Sequence, residues 1–152
     1  MTAKEYLRQL YEADKIRRVL QDRINELTVK AGYGTGRVYA RNFSGCNDRR
    51  CPMEIAILDQ WEKTEELEEF LAAVDELARG IKAVINAVPD DEHLRTILIL
   101  RYIEFLPFDV IRAKLGYKRI QRAFETHGEA LCWVRVPSSA RTLAEIQAQY
   151  LV

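Results

Sequence analysis

The stretch "LPFDVIRAKLGYKRIQRAF", residues 106–124, reads as two short helices broken at Leu115-Gly116-Tyr117. Pro107 suits the first turn of the first helix, where a missing N–H costs nothing. Gly116 suits its end, where the chain turns through the left-handed conformation at little cost. The second helix, expected over residues 118–134, is led by Lys118, Arg119 and Arg122. Short helix, glycine turn and basic helix fit a helix-turn-helix that would put its second helix into DNA. The same pattern also describes a helical hairpin with a solvated basic face and Ile120, Phe124 and Leu131 in its core.

Pro89 ends the preceding helix, because it lacks an N–H and disfavours helix at Val88. Asp90 or Asp91 is the expected cap of the next helix, which runs to about Glu104 through Leu94, Ile97, Leu98, Arg101 and Tyr102. After "VPSS", Ser138 or Ser139 is the expected cap of a last short helix carrying Leu143, Ile146 and Tyr150.

The N-terminal half has a different rhythm. Thr2 and Glu5 have capping-box spacing, so a helix starts at once. Leu7, Leu10, Ala13, Ile16, Leu20, Ile24 and Leu27 recur in steps of three and four, predicting an amphipathic helix to about Lys30. From about residue 31 to 52 the periodicity stops among Gly32, Gly34, Gly36, Gly45 and Pro52, which predicts an irregular loop. A second long helix is expected over residues 53–88. Its stripe of Thr64, Leu67, Leu71, Val74, Ala78, Ile81, Ile85 and Val88 has the 3.5-residue period of a coiled-coil seam. The two long helices are natural antiparallel mates. Either a surplus of seam draws copies of the chain together, or the hairpin packs only on its own C-terminal part. The expected fold is therefore all-α: a coiled-coil-like hairpin over 1–88, then a small helix-turn-helix bundle over 89–152.

Composition sets limits. The chain has 152 residues, 48% of them hydrophobic and 30% charged, enough to build a core, and only 7 Gly and 4 Pro, which favours helix. No apolar run reaches the roughly 20 residues that span a bilayer. The opening "MTAKEYLRQL" lacks the apolar core of a signal peptide, and three cysteines fit reduced thiols, so a cytoplasmic protein is expected (host cytoplasm, if phage-encoded). With 23 basic and 23 acidic residues the chain is formally neutral, which argues against a generic polyanion binder. The charges are nonetheless segregated. Residues 54–76 hold nine acidic side chains against Lys63, and residues 112–141 hold seven Lys or Arg against Glu125 and Glu129. Such segregation gives one end of a molecule a positive field.

Residues 88–131 carry a resemblance. "LRY" at 100–102, Ile111, "LGY" at 115–117, His127 and "AL" at 130–131 are similar to the region-four helix-turn-helix of bacterial sigma factors. They resemble more closely the C-terminal half of a family of short phage-encoded proteins, sigma-like late-transcription regulators among them, which also begin with long paired helices. The resemblance spans about 45 residues well and the N-terminal half in outline. It differs at Arg112, where a small Ala is usual, at Lys118, where a capping Ser is usual, and in an interval from Tyr117 to His127 that is one residue longer. The resemblance implies a DNA-binding domain. Chemically, Arg119 and Arg122 suit guanine, Gln121 suits adenine, and Lys118, Arg112 and Lys114 suit the phosphate backbone.

Other constellations carry less. "GYGTGR" at 32–37 has no preceding strand and no following GK[ST], so it is not a phosphate loop. Its neighbourhood supplies Arg37, Tyr39, Arg41, Arg49 and Arg50, a set suited to nucleic acid or an acidic protein partner, or else a plain surface loop. Cys46 and Cys51 flank "NDRR" at a spacing seen between zinc ligands, but no second ligand pair accompanies them, so no metal or other cofactor is expected. His127, on the apolar side of its helix, is expected to be a hydrogen-bonded core or rim residue. No nucleophile, base and orienting group can be assembled, so an enzyme is not expected.

The functional expectation is a phage-type regulator that binds double-stranded DNA and oligomerises through its N-terminal helices. Two alternatives stand beside it: the small subunit of a DNA-packaging terminase, and a phage-made inhibitor that binds a host protein through its acidic helix or arginine-rich loop.

Overall fold

A computed structural model describes the backbone of residues 1–38 and 52–151 and the side chains of residues 1–29 and 61–151. Every regular element among the described residues is helical. Two long helices, α1 (Ala3–Val38) and α2 (Pro52–Asn86), form the hairpin. They are followed by α3 (Leu94–Leu98), a π-helical turn (Ile99–Ile103), α4 (Phe108–Leu115), α5 (Ile120–Trp133) and α6 (Leu143–Tyr150). The all-α hairpin and helix-turn-helix bundle expected from the sequence are present.

The start of α1 is closed by its capping box. The Thr2 amide donates to the Glu5 carboxylate (2.8 Å), and the Glu5 amide donates to the Thr2 hydroxyl (3.3 Å). These bonds hold the Glu5 carboxyl below its ordinary range. The helix runs to Val38, past the expected end at Lys30. Glycine lowers helix stability by about 1 kcal/mol per residue, which a long helix can absorb. Residues 39–51, with Tyr39, Arg41, Cys46, Arg49, Arg50 and Cys51, lie outside the described residues, as does the side chain of Arg37.

Packing groups the chain into two compact units, Met1–Lys15 with Val74–Val152, and Ile16–Ala73. The first unit therefore joins the outer ends of the hairpin to the C-terminal helices, where the sequence alone invites a break at Pro89. Its core takes Tyr6, Leu7, Leu10 and Ala13 from α1, and Val74, Leu77, Ile81 and Ile85 from α2. Tyr6 lies against Gly80, where an added Cβ would sit 3.6 Å from its hydroxyl. From the C-terminal helices come Ile97, Leu98, Ile111, Ala123, Ala130 and Ile146. Each fully buried Leu or Ile contributes roughly 1.5–3 kcal/mol of transfer free energy.

The second unit corrects the seam of α2. Phe70 is the buried side chain (3% exposed), while Leu71, expected to be buried, is only half-covered, as are Thr64, Leu67 and Ala78. The covered stripe is Phe70, Val74, Leu77, Ile81, Ile85 and Val88. It still steps by three and four, with Phe70 and Leu77 buried in place of the expected Leu71 and Ala78. An aromatic ring covers more apolar surface than leucine, and that decides which neighbouring position turns inward.

The approach to the helix-turn-helix is less regular than its sequence suggests. The helix expected to be capped at Asp90 or Asp91 opens there as a 3-10 turn (Asp91–His93, with Asp90 at its N-cap) and becomes α-helical only at Leu94, because Glu92 (φ 50°) and His93 (φ 67°) are left-handed. Asp90 still serves that helix start from six residues away. Its carboxylate accepts from the Thr96 amide (3.3 Å) and hydroxyl (3.0 Å), and these bonds lower its pKa. At the far end of the chain, α6 is capped by Thr142, in a box with Glu145, and not by Ser138 or Ser139.

Candidate functional site

The turn between α4 and α5 is built as the glycine predicted. Gly116 has φ 73°, and its amide and that of Tyr117 close the end of α4 on the carbonyls of Ala113 (3.3 Å) and Arg112 (3.0 Å). Arg112 is half-buried and donates to the Tyr117 carbonyl (3.3 Å), so a bulky residue here braces the turn. Close approach of the helices falls instead to Ile111 and Ala123, both fully buried. The Thr126 hydroxyl donates to the Arg122 carbonyl (2.9 Å) and lies 3.4 Å from the Tyr117 hydroxyl, tying the turn to α5.

The second helix starts at Ile120, two residues later than expected. Lys118 and Arg119 therefore precede it. Arg119 is the N-cap residue, with the extended backbone that position requires, but its side chain makes no capping bond. The first turn of α5 contains no acidic residue either. Two cations thus stand at the positive end of a helix dipole beside uncapped amides, an arrangement that favours an anion. Lys118, Arg119 and Gln121 are exposed, and among the described residues no hydrogen bond or ion pair engages their side chains.

The remaining candidates have partners. Arg122 is flanked by the carboxylates of Glu92 (3.5 Å) and Glu125 (3.5 Å), and Lys114 by Glu104 (3.5 Å). Such exposed pairs are worth little in stability, on the order of 0–1 kcal/mol, but they reduce the local positive field. The left-handed pair Glu92–His93 sets up one of these contacts, and the His93 ring also meets Tyr117 edge-on at 6.4 Å between centroids. Nothing local in the sequence signals that Glu92 folds back onto a helix thirty positions later.

The inward face of α5 is Ala123, Thr126, His127 and Ala130. Phe124, expected in the core, is 49% exposed and packs instead at the rim against Phe108, with ring centroids 4.7 Å apart. Ile120 and Leu131 are half-buried. His127 is buried, hydrogen-bonded through Nε2 to the Tyr102 hydroxyl (3.0 Å), stacked on that ring and met edge-on by Phe108. Burial first, then the nearby charges of Lys4 and Arg101, lowers its pKa to about 4, so it is neutral at pH 7. It is a structural histidine by its contacts.

Beside His127 the first unit opens a cleft of about 640 Å³. Lys4, Arg8 and Tyr11 of α1 form one wall. Arg101 and Tyr102 of the π-helical turn, with Phe105, form another. Phe108 of α4 and Phe124 of α5 complete it. Phe105 is left-handed (φ 57°), and its ring meets Tyr11 edge-on at 5.1 Å. Arg101 lies over Phe108, 4.6 Å from the ring centroid, and donates to the Leu106 carbonyl (3.0 Å). Only Arg101 and Tyr102 of "LRY" and His127 belong to a sequence motif, because the lining comes from three separated stretches, 4–12, 101–108 and 124–127.

No group of three or more potential metal-ligating side chains occurs among the described residues, and no described helix is long and apolar enough to cross a membrane. No protein-family model, curated protein or solved structure matches the chain.

Proposed function

We propose that the protein is a DNA-binding transcription regulator of the phage sigma-region-four-like type. It presents the start of α5 to double-stranded DNA. The observation that carries this reading is the exposed, unpartnered trio of Lys118, Arg119 and Gln121 at an uncapped helix start that is fixed by the Gly116 turn. Lys118 and Arg119 meet phosphate and Gln121 a base edge, while Arg112 acts through the turn rather than on DNA. Lys114 and Arg122 join once DNA phosphates compete with Glu104, Glu92 and Glu125. Self-association through the hairpin unit completes the proposal. That unit carries exposed Val19, Val29 and Trp61.

The test is binding of the purified chain to a pool of duplex DNA fragments at several salt concentrations, beside a Lys118→Ala variant. Loss of one phosphate contact weakens binding to all sequences and flattens the log–log salt slope by roughly one unit. A parent chain with no salt-dependent DNA binding ends this reading. A second reading, a protein inhibitor acting on a host protein, is favoured by the carboxylates that already occupy Arg122 and Lys114. Capture from host lysate that survives nuclease treatment supports it.

A further inference from the structure

The cleft beside His127 combines two properties that rarely coincide on a solvated surface. Its walls are aromatic, with Tyr11, Phe105, Phe108 and Phe124 on three sides. Its charged rim is cationic, with Lys4, Arg8 and Arg101 against the single carboxylate of Glu12. Lys4 and Arg8 are exposed and form no ion pair among the described residues. Arg101 is held by the Leu106 carbonyl and the Phe108 ring, so its guanidinium is already positioned.

Backbone geometry at this place is costly in the same direction. A π-helical turn at Ile99–Ile103 carries Arg101 and Tyr102, and such turns occur often at functional sites. Phe105 adopts a left-handed conformation that a bulky residue rarely takes, and such outliers cluster at ligand clamps. Both irregularities set side chains on the same cleft. Its volume lies within the roughly 300–1,000 Å³ typical of small-molecule sites.

We propose that this cleft binds a small planar aromatic acid, its ring between the aromatic walls and its carboxylate toward Lys4, Arg8 and Arg101. Ring stacking alone selects flat ligands, and the cations select the anionic ones among them. The inference does not depend on DNA binding. Because the cleft takes Phe108 from α4 and Phe124 from α5, its occupant touches both helices of the helix-turn-helix.

The test uses three probes on the full chain at pH 7, followed by titration calorimetry and by amide NMR shifts. They are 2-naphthoate, the uncharged 2-naphthylmethanol, and cyclohexanecarboxylate, which has the charge without the flat ring. The expected result is saturable binding of one 2-naphthoate per chain, about tenfold or more tighter than either other probe, since a charge-assisted contact is worth at least that factor. Shifts should centre on residues 4–12 and 101–108. The exposed pair Lys4→Gln with Arg8→Gln should weaken 2-naphthoate about tenfold while leaving 2-naphthylmethanol and the melting temperature unchanged, and Lys82→Gln, exposed and outside the cleft lining, should leave 2-naphthoate affinity unchanged. Absence of saturable binding, equal affinity for the three probes, or full affinity in the double variant overturns the proposal.

Discussion

Replacing Arg119 by Asn separates what the start of α5 does for the fold from the DNA contact proposed for it. Arg119 already has the extended backbone of an N-cap (φ −125°, ψ 140°), and its carbonyl accepts from the Arg122 amide at 3.2 Å. Only the side chain is wrong for the role, because guanidinium has no acceptor to offer the orphan amides. Asn supplies a carbonyl oxygen at the same place, and a good N-cap is worth about 1 kcal/mol over a poor one. For a chain of this size that raises the melting temperature by roughly 2–4 °C. The same change removes one cation from the start of α5, so under the proposed function the salt slope of DNA binding should fall by about 0.9. Arg119→Ala should lose the same slope without the stability gain, since Ala is a poor cap. Thermal melting by circular dichroism and anisotropy titrations of duplex DNA between 50 and 200 mM salt measure both effects. An Asn variant that melts no higher than the Ala variant refutes the cap geometry. An unchanged slope in both refutes the phosphate contact.

Glu92→Gln should leave the melting temperature nearly unchanged, because the pair it breaks with Arg122 is exposed, and should raise DNA affinity at low salt; unchanged or weaker binding removes Glu92 as a competitor for Arg122. In the hairpin unit, Phe70→Ala should cost about 3–5 kcal/mol and Leu71→Ala clearly less, and denaturant unfolding that ranks them the other way restores Leu71 to the seam. His127 is neutral in the folded chain, with its pKa near 4 against about 6.5 when unfolded. The unfolded state therefore binds the extra proton between these values, so this group's contribution is complete above pH 6.5 and is withdrawn as pH falls toward 4. An NMR titration that finds His127 ionising near 6.5 contradicts the buried contact with Tyr102.

Much of the architecture was legible because it rests on local chemistry. The Thr2–Glu5 box, the break at Pro89 and the turn at Gly116 each follow from what one or two side chains permit of their own backbone. The three-four spacing likewise required two long amphipathic helices, since such stripes must be covered. Local rules failed where another segment had a competing claim. Ser138 and Ser139 are sound caps by composition, yet the helix begins after Thr142, whose partner Glu145 makes a reciprocal box and whose neighbour Leu143 donates its amide to Gln9 (2.9 Å).

The candidate site divides in the same way. That a basic helix follows a glycine turn is written in residues 106–124. Which of its cations are available was decided by tertiary structure, because ion pairs depend on distance in space. Glu92, in a left-handed turn, meets Arg122 thirty positions later, and Glu104, just after the π-helical turn, meets Lys114. Phe70 rather than Leu71 is buried in the seam, and Phe124 packs at the rim against Phe108. Periodicity fixes that a face is buried, whereas tertiary packing fixes which residues lie on it. The aromatic, cationic cleft belongs wholly to the folded state. Its residues come from α1, the π-helical turn, the loop after it, α4 and α5, and no spacing in the chain could have announced their meeting.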